Sequence, residues 1–351
     1  PGDTDEVTRL AVIGYDGQDR ERGVSIDVDY RVSNEQNRVL GREIVFVGLG
    51  EGDFDIEGNP VGVNQGDYDV VFTPTDSLVR ATEVEWSARV DLQPPVRRWG
   101  GFSNVLLWQV TERSRTDEIG RLLRLDPGVL RDPELTVFGE QRVRNELTLL
   151  RTIRRYDLRI DHERSDGLDQ RFENGPEERA QRRTEVRFES EVASGFAVRL
   201  DAGLESRRRD SADTTNPLRR SYEVEDLSGA ASLRWRRDRS TRLELEARRT
   251  ERTEDRSSIE QTILALSPSA TTSLFGLQTT VQTRLASVEE TAPSGVVRPF
   301  FFERPGTQRS ASVRLQWGGT GNFSVSLRFS VRDEPDRPVR QDLGVETRAR
   351  F

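Results

Sequence analysis

The chain has 351 residues, of which 33% are hydrophobic and 32% charged, and its formal net charge is −8. It contains no cysteine and no methionine, and all 53 basic residues are arginine. A disulfide framework and a thiolate metal site are therefore excluded, and no run approaches the roughly 20 apolar residues of a membrane-spanning helix. The chain begins PGDTDEV without an apolar leader, so we expect it to be a C-terminal piece of a longer protein.

Acidic residues concentrate in the first part of the chain. Residues 1–100 contain 20 Asp and Glu against 10 Arg, whereas residues 101–351 contain 41 against 43. The first region carries four candidate strands, VSIDVDYRV, EIVFVGL, DYDVVFT and TEVEWSARVDL, before the stretch PPVRRWGG at 94–101. We expect residues 1–100 either to continue the sheet that follows, giving sixteen strands in all, or to form a small acidic β-domain. Continuation of one sheet is the favoured interpretation.

From residue 101 onward, apolar residues recur at every second position, which is the period of a β-strand. The stretch NFSVSLRFSV, for example, places Phe323, Val325 and Leu327 on one face and serine or arginine on the other. No helical period competes with this alternation. Most of the twelve candidate strands have about the 9–11 residues with which a tilted strand crosses a bilayer. They lie at roughly 103–113, 143–153, 156–164, 183–193, 196–206, 225–236, 241–250, 257–266, 275–287, 309–317, 323–332 and 341–351.

Short and long connections between these candidates mostly alternate. GGTGN, RRDRS and SG are short, whereas RDSADTTNPLRRSYE, SDGLDQRFENGPEERAQ and the stretch holding GVVRPFFFERPGTQ are long. Strands that cross a membrane are joined by short turns on one side and by longer loops on the other. The alternation therefore predicts that the long loops lie together at one edge of the sheet.

Aromatic side chains gather at the short-turn ends of the strands, always on the apolar face. Such rings bury a flat body while staying near the headgroups of a lipid bilayer. The sequence therefore predicts an aromatic girdle at a membrane–water interface. Its members are Tyr156, Phe196, Trp235, Phe275, Trp317, Phe323 and Phe351.

The last candidate strand ends on an aromatic residue. QDLGVETRARF alternates Leu343, Val345, Thr347, Ala349 and Phe351 with polar residues or glycine. This pattern resembles the terminal strand of bacterial outer-membrane β-barrels, in which the C-terminal aromatic residue belongs to the signal read by the barrel-assembly machinery. Thr347 and Ala349 are smaller than the residues often found at such positions. Residues 101–351 as a whole are similar to the C-terminal part of large, uncharacterised outer-membrane proteins of GC-rich Gram-negative bacteria.

The resemblance implies a fold and a location. The fold is a transmembrane, antiparallel up-and-down β-barrel of about 12–16 strands, and the location is the bacterial outer membrane. In such a barrel the polar face lines the lumen, because an arginine facing lipid near the midplane costs about 2–4 kcal/mol. A lining that mixes both charges predicts no strong preference for anions or cations. The expected lumen-lining residues include Arg159, Arg187, Arg199, Arg234, Glu244, Arg314 and Arg328.

Three local features invite a functional interpretation. His162, the single histidine, lies close to a serine and an aspartate, but nearness in sequence is no evidence for a catalytic constellation. Acidic residues alternate in GDFDIEGN, which lacks the bidentate glutamate and the spacing of an EF-hand loop. The stretch PFFFERP places Phe300, Phe301 and Phe302 in a long loop, where they either fold inward as a plug or contact a partner.

We therefore predict a non-enzymatic barrel, without cofactor or metal, that acts as a pore, conduit or membrane-embedded scaffold. Its expected partners are the lipid bilayer, the barrel-assembly machinery and, at the long loops, a second protein. Nucleic acid is not expected, since the Arg-rich segments carry acids in equal number. Two alternatives stay open. One is a membrane anchor for an extracellular or periplasmic assembly that conducts nothing, and the other is a soluble, secreted array of β-sandwiches.

Overall fold

The computed structural model describes residues 10–48, 52, 54, 68–94, 101–115, 119–125, 130–149, 155–171, 175–212, 221–238, 240–274, 276–293, 302–318, 323–335 and 337–349. Fifteen strands and one short helix are present in these ranges. The strands are Leu10–Asp19 (β1), Val24–Phe46 (β2), Tyr68–Leu92 (β3), Ser103–Ser114 (β4), Thr136–Leu149 (β5), Tyr156–Asp169 (β6), Glu177–Ala193 (β7), Phe196–Ser211 (β8), Tyr222–Arg236 (β9), Thr241–Glu254 (β10), Ile259–Leu274 (β11), Leu277–Thr291 (β12), Gly306–Gly318 (β13), Phe323–Asp333 (β14) and Arg340–Ala349 (β15). The helix α1 is Ile119–Leu123.

One antiparallel sheet contains all fifteen strands, and each strand pairs with its neighbours in sequence. This order is the up-and-down meander, in which consecutive strands are joined by simple turns or loops. In the described part of the chain, β1 and β15 are the two ends of the order. The predicted all-β, up-and-down fold is confirmed. The described strands form one sheet and not the two packed sheets of a β-sandwich.

Each of the twelve candidate strands after residue 101 corresponds to one strand of the structure, from β4 to β15. The predicted bounds are too short for several of them, because backbone pairing continues where the apolar alternation stops. Candidate 183–193 is the strand Glu177–Ala193, and candidate 143–153 is Thr136–Leu149. The sequence PSATTSL predicts a connection between strands, but β11 runs through Pro268 to Leu274 and pairs with β10 from Ile259 to Thr272.

The N-terminal candidates combine differently from the prediction. VSIDVDYRV and EIVFVGL belong to one long strand, β2, and DYDVVFT and TEVEWSARVDL belong to another, β3. The polar stretches between them read as turns but are paired strand, with one irregularity between Arg38 and Leu40. A further strand, β1, precedes them, so the described total is fifteen and not sixteen. β3 is hydrogen-bonded to β4 from Thr82↔Ser114 to Leu92↔Asn104.

The connections divide between two edges of the sheet. One edge, called here the short-turn edge, holds connections 20–23, 93–102, 150–155, 194–195, 237–240, 275–276 and 319–322. The other, the long-loop edge, holds connections 47–67, 115–135, 170–176, 212–221, 255–258, 292–305 and 334–339. The tight turn at 194–195 needs glycine, because Gly195 has a φ of 75° and a Cβ there would lie 2.3 Å from the carbonyl oxygen of Arg236.

The strand register gives the sheet two chemically different faces. Residues that lie directly opposite each other on neighbouring antiparallel strands point to the same side. One side, called the apolar face, carries Leu200, Leu243, Leu266 and Leu285, and the other, called the polar face, carries arginines and acids. Both faces continue across β1–β15 without a change of side. The short clusters of fully buried apolar residues lie towards the long-loop edge.

The only described helix, α1, contributes to one of these clusters. Leu122 is fully buried against Val32 and Val84 on the apolar face, with Tyr30 and Leu125 beside them. The loop between β4 and β5 therefore folds over part of β2 and β3. Among the described residues, no helix is long and apolar enough to cross a membrane.

Candidate functional site: the two faces of the sheet

The apolar face is exposed along most of its area. Leu200 is 48% exposed, Leu243 43% and Leu343 68%. Soluble monomers rarely leave contiguous apolar surface of this extent uncovered. The apolar face thus has the chemistry of a surface that meets an apolar phase.

The predicted girdle residues lie where the strands meet the short-turn edge. Tyr156 begins β6 and stacks on Phe188 at 6.1 Å between ring centroids. Phe196 begins β8 and lies directly opposite Trp235, and Trp317 lies opposite Leu277. The backbone of Phe323 begins β14, while Phe275 and Phe351 lie outside the described residues. An aromatic contact that sequence reasoning missed joins Trp86 to Trp108, edge to face, at 4.5 Å.

The predicted terminal strand is β15. Leu343 and Val345 are both strongly exposed on the apolar face, opposite Phe329 and Leu327 of β14. Thr347 follows on the same face, and the backbone of Ala349 pairs with Phe323. Phe351, the last residue of the predicted assembly signal, lies outside the described residues.

The seven residues expected to line the lumen all lie on the polar face. On β6–β9 the arginines among them are held by acids on the same strand or on a strand one or two places away. Arg187 and Arg199 both donate to Asp201, at 2.8 and 2.7 Å. Arg234 donates to Glu189 at 2.9 Å, and Arg159 lies 3.6 Å from Glu146. Cross-strand ion pairs of this kind hold neighbouring strands together while keeping the polar face hydrated.

A more deeply buried ion-pair network lies on the same wall near the long-loop edge. Asp226 accepts hydrogen bonds from Arg207 at 2.6 Å and from Arg252 at 2.5 Å. Glu177 has no exposed side-chain surface and accepts from Arg209 at 2.6 Å. These acids are largely withdrawn from water, so their arginine partners are needed to keep the buried charges compensated.

The polar face of β11–β14 has a different composition. Serine, threonine and glutamine predominate there, and Arg314 and Arg328 lie directly opposite each other. A concave surface of about 440 Å³ spans this wall from β10 to β15. Its lining includes Glu244, Ser269, Gln282, Ser312, Arg328 and Asp342. The polar face is therefore hollow where its hydroxyl groups concentrate.

The loop between β12 and β13 folds onto the polar face. Phe302 is only 8% exposed and packs against Val224 and Ile259, with the guanidinium of Arg252 5.4 Å from its ring centre. Phe300 and Phe301 lie outside the described residues. Phe302 thus lies buried on the polar face, and whether this loop also contacts a partner stays a prediction.

Polar contacts fix the residue that follows. The side-chain amide of Gln261 donates to the carbonyl oxygen of Glu303 at 2.6 Å, and the backbone N–H of Glu303 donates to Gln261 Oε1 at 3.2 Å. The Glu303 carboxylate accepts two hydrogen bonds from Arg284, at 2.9 and 3.0 Å. Phe302 and Glu303 together form what we call the loop anchor. Sequence reasoning marked the aromatic residues of this loop but could not show which strands receive them.

Within the described residues, the other titratable groups do not form a catalytic or metal-binding cluster. His162 lies on the apolar face, where its Nδ1 is 2.9 Å from the hydroxyl of Thr184. Glu112, missed by sequence reasoning, is 1% exposed and accepts from the Thr136 hydroxyl and the Arg131 backbone N–H, which ties the β4–β5 loop to its strands. The described residues contain no group of three or more potential metal ligands. The acidic residues of GDFDIEGN lie outside the described part.

Comparisons with known proteins found similar structures but no similar sequence. No protein-family model matches the sequence, and no curated protein matches it. The structure is similar to OmpT, an outer membrane protein of Vibrio cholerae, at 8% identity and a TM-score of 0.38, covering 92% of this chain and 97% of that one. It is also similar to Pseudomonas aeruginosa OccK5, at 8% identity and a TM-score of 0.38, covering 98% of this chain and 96% of that one. A bacterial polysaccharide outer membrane secretin is similar at 7% identity and a TM-score of 0.35, covering 95% of this chain and 100% of that one. Likeness at this level carries no further conclusion.

Proposed function

We propose that the chain forms a bacterial outer-membrane β-barrel that acts as a water-filled pore. The observation that carries the proposal is the division of one continuous sheet into an exposed apolar face and an ion-paired polar face. The apolar face meets the lipid acyl chains, and the polar face lines the lumen. Closure pairs β15 with β1 in parallel, because the first and last of the fifteen described strands run in the same direction, and it removes the two unpaired edges of the sheet.

The energetics favour this orientation over the reverse one. An arginine near the bilayer midplane costs about 2–4 kcal/mol on the lipid-facing side of a barrel. The polar face carries such arginines on nearly every strand from β5 to β14, so turning it towards lipid would be prohibitive. The exposed leucines of the apolar face, in contrast, gain from contact with lipid.

The loop anchor narrows the proposed lumen. A loop held by Phe302 and Glu303 on the polar face occupies space that water and solutes would otherwise fill. A pore restricted at this point conducts less than an empty barrel of the same size, because the loop reduces its cross-section.

Conductance across a planar lipid bilayer tests the proposal. The purified protein is expected to give discrete steps of ion current, and the variant Phe302→Ala is expected to give larger steps, since loss of the buried ring releases the loop from Val224 and Ile259. Phe329→Ala is the matched control, because it removes the same ring from the apolar face and leaves the lumen unchanged. Equal steps in all three proteins would show that the loop does not restrict the pore.

A membrane anchor that conducts nothing is the second candidate. The inward position of Phe302 favours it, since a loop in the lumen also serves to fill a barrel. This candidate predicts no current steps from the wild-type protein or from Phe302→Ala, although both insert into lipid vesicles. Insertion with current in either protein contradicts the anchor, and insertion without current contradicts the pore.

A further inference from the structure

The polar face carries a cluster in which two arginines face each other, whereas elsewhere on this face arginines pair with acids. It lies on β12, β13 and β14, in three adjoining rows of cross-strand partners. We call it the serine–arginine patch. Its members are Gln282, Arg284, Ser312, Arg314, Arg328 and Ser330.

Two arginines at the patch face each other without an acid between them. Arg314 and Arg328 are direct cross-strand partners, a position in which side chains lie about 4.5–5.5 Å apart at Cβ and like charges destabilise the pair. Within the described part of the chain, neither forms an ion pair or a side-chain hydrogen bond. Their donors are therefore available to a bound anion, which would also offset their repulsion.

The surroundings of the two arginines supply neutral hydrogen-bonding groups. Ser312 and Ser330 are direct cross-strand partners in the adjoining row, and Gln282 lies opposite Ser312 in the same row. Arg328, Ser312, Ser330 and Gln282 all line the concave surface of about 440 Å³. This volume lies within the range of about 300–1,000 Å³ typical of small-molecule sites. Hydroxyl and amide groups at this density can exchange hydrogen bonds with the hydroxyl groups of a solute.

Among the side chains that the structure describes, the acids near the patch already have partners. Glu244, at one end of the concave surface, lies 3.7 Å from Arg234 and is also paired with Arg242. Asp342, at the other end, pairs with Arg340 at 3.2 Å. Glu246, which also lines this surface, pairs with Arg248 at 3.0 Å, and Glu303 is engaged by Arg284 in the loop anchor. The local excess of positive charge therefore remains at Arg314 and Arg328.

We propose that the serine–arginine patch binds small hydroxylated anions, such as a phosphorylated sugar, on their way through the lumen. The guanidinium groups of Arg314 and Arg328 bind the phosphate, for which their planar donor arrangement is suited, and the serines bind the sugar hydroxyls. The inference rests on the proposed pore and names the class of solute that the pore prefers.

Binding of glucose 6-phosphate to the protein in a phosphorus-free detergent tests the proposal, with ³¹P line broadening as the readout. The double variant Arg314→Gln/Arg328→Gln is expected to bind more weakly on the order of tenfold or more, because each lost charged hydrogen bond weakens binding. Arg159→Gln/Arg187→Gln is the matched control. It removes another pair of facing arginines and the same charge, and its affinity is expected to equal that of the wild type.

Each outcome of this comparison decides the matter. Loss of binding confined to Arg314→Gln/Arg328→Gln supports the patch. Absence of binding to the wild type, unchanged binding in that variant, or an equal loss in both variants overturns it. Bilayer conductance of the same preparations reports separately on the pore. Current without patch-dependent binding overturns the patch alone, whereas patch-dependent binding without current overturns the pore alone.

Discussion

Two pairs of facing arginines on the polar face have opposite surroundings. Arg159 faces Arg187 across β6 and β7, and Arg314 faces Arg328 across β13 and β14. The first pair is compensated, since Glu146 and Asp201 lie within ion-pairing distance of its members. The second pair has neighbouring hydroxyl groups and, among the described side chains, no acid within ion-pairing distance. An arginine on the polar face therefore pairs with an acid where one lies beside it, and where none does, its hydrogen-bond donors remain available to a solute.

The largest effect on the free energy of unfolding is expected at the most buried ion pairs of the polar face. Asp226→Asn removes the charge that holds Arg207 and Arg252 and leaves both guanidinium groups partly buried without it. Breaking a buried pair in this way costs about 3–5 kcal/mol. We therefore expect the free energy of unfolding, measured by denaturant titration in detergent or vesicles, to fall by about 3 kcal/mol.

The matched control for this change is Asp342→Asn. Asp342 is exposed and, among the described residues, pairs with the similarly exposed Arg340 alone, so the same chemical substitution should alter stability by less than about 1 kcal/mol. Equal losses of unfolding free energy in the two variants would mean that the buried ion pairs of Asp226 stabilise the fold no more than the exposed ion pair of Asp342.

A smaller difference should separate the two arginine pairs themselves. Arg159→Gln/Arg187→Gln removes attraction to Glu146 and Asp201, and because these pairs are partly exposed, the loss of unfolding free energy should be about 1 kcal/mol. Arg314→Gln/Arg328→Gln removes repulsion, so stability should stay the same or rise slightly. The denaturation midpoints of both variants measure this contrast. A lower midpoint for the second variant would indicate that Arg314 and Arg328 have stabilising partners.

The smallest effect concerns a turn at the short-turn edge, outside both walls. Hydrogen bonds from the Ser240 hydroxyl, at 2.6 Å, and from the backbone N–H groups of Ser240 and Thr241 hold the pKa of Asp238 below its usual range. A carboxylate with a lowered folded-state pKa stabilises the fold above its unfolded pKa of about 4, and this contribution disappears as the pH falls through the folded value.

Asp238→Asn should therefore lack this part of the acid sensitivity. Denaturation midpoints followed from neutral pH to below pH 4 should fall slightly more steeply for the wild type than for the variant. Parallel curves would show that the turn makes no ionisation-dependent contribution.

Much of the fold could be predicted from the sequence, because an exposed two-faced strand repeats its chemistry at every second residue. The alternation located β4–β15 and assigned their faces. It failed where the physical signal itself changes. The polar middle of β2 and β3 pairs like any strand but has no apolar face to mark it, and the Pro268 region of β11 combines turn-forming residues with continued pairing.

The candidate site was predictable only in part. Alternation places Arg159, Arg187, Arg314 and Arg328 on the polar face, but it treats all four alike. Their difference depends on the register, since a shift of two residues between strands preserves every face and exchanges every partner. The contact of Phe302 with Val224 and Ile259 likewise joins residues far apart in sequence. The sequence marks the aromatic residues of the loop, but neither the charge compensation nor the strands that contact Phe302 can be read from it locally.

The most direct test of the central claim asks which face of one strand meets lipid. The chain has no cysteine, so single cysteines at positions 242–248 of β10 can each carry one spin label, with the protein in lipid vesicles. Labels at Leu243, Leu245 and Ala247 should collide preferentially with dissolved oxygen, which concentrates in the bilayer, and labels at Glu244 and Glu246 with a water-soluble nickel chelate. Accessibility without this two-residue alternation would contradict the assignment of the apolar face to lipid.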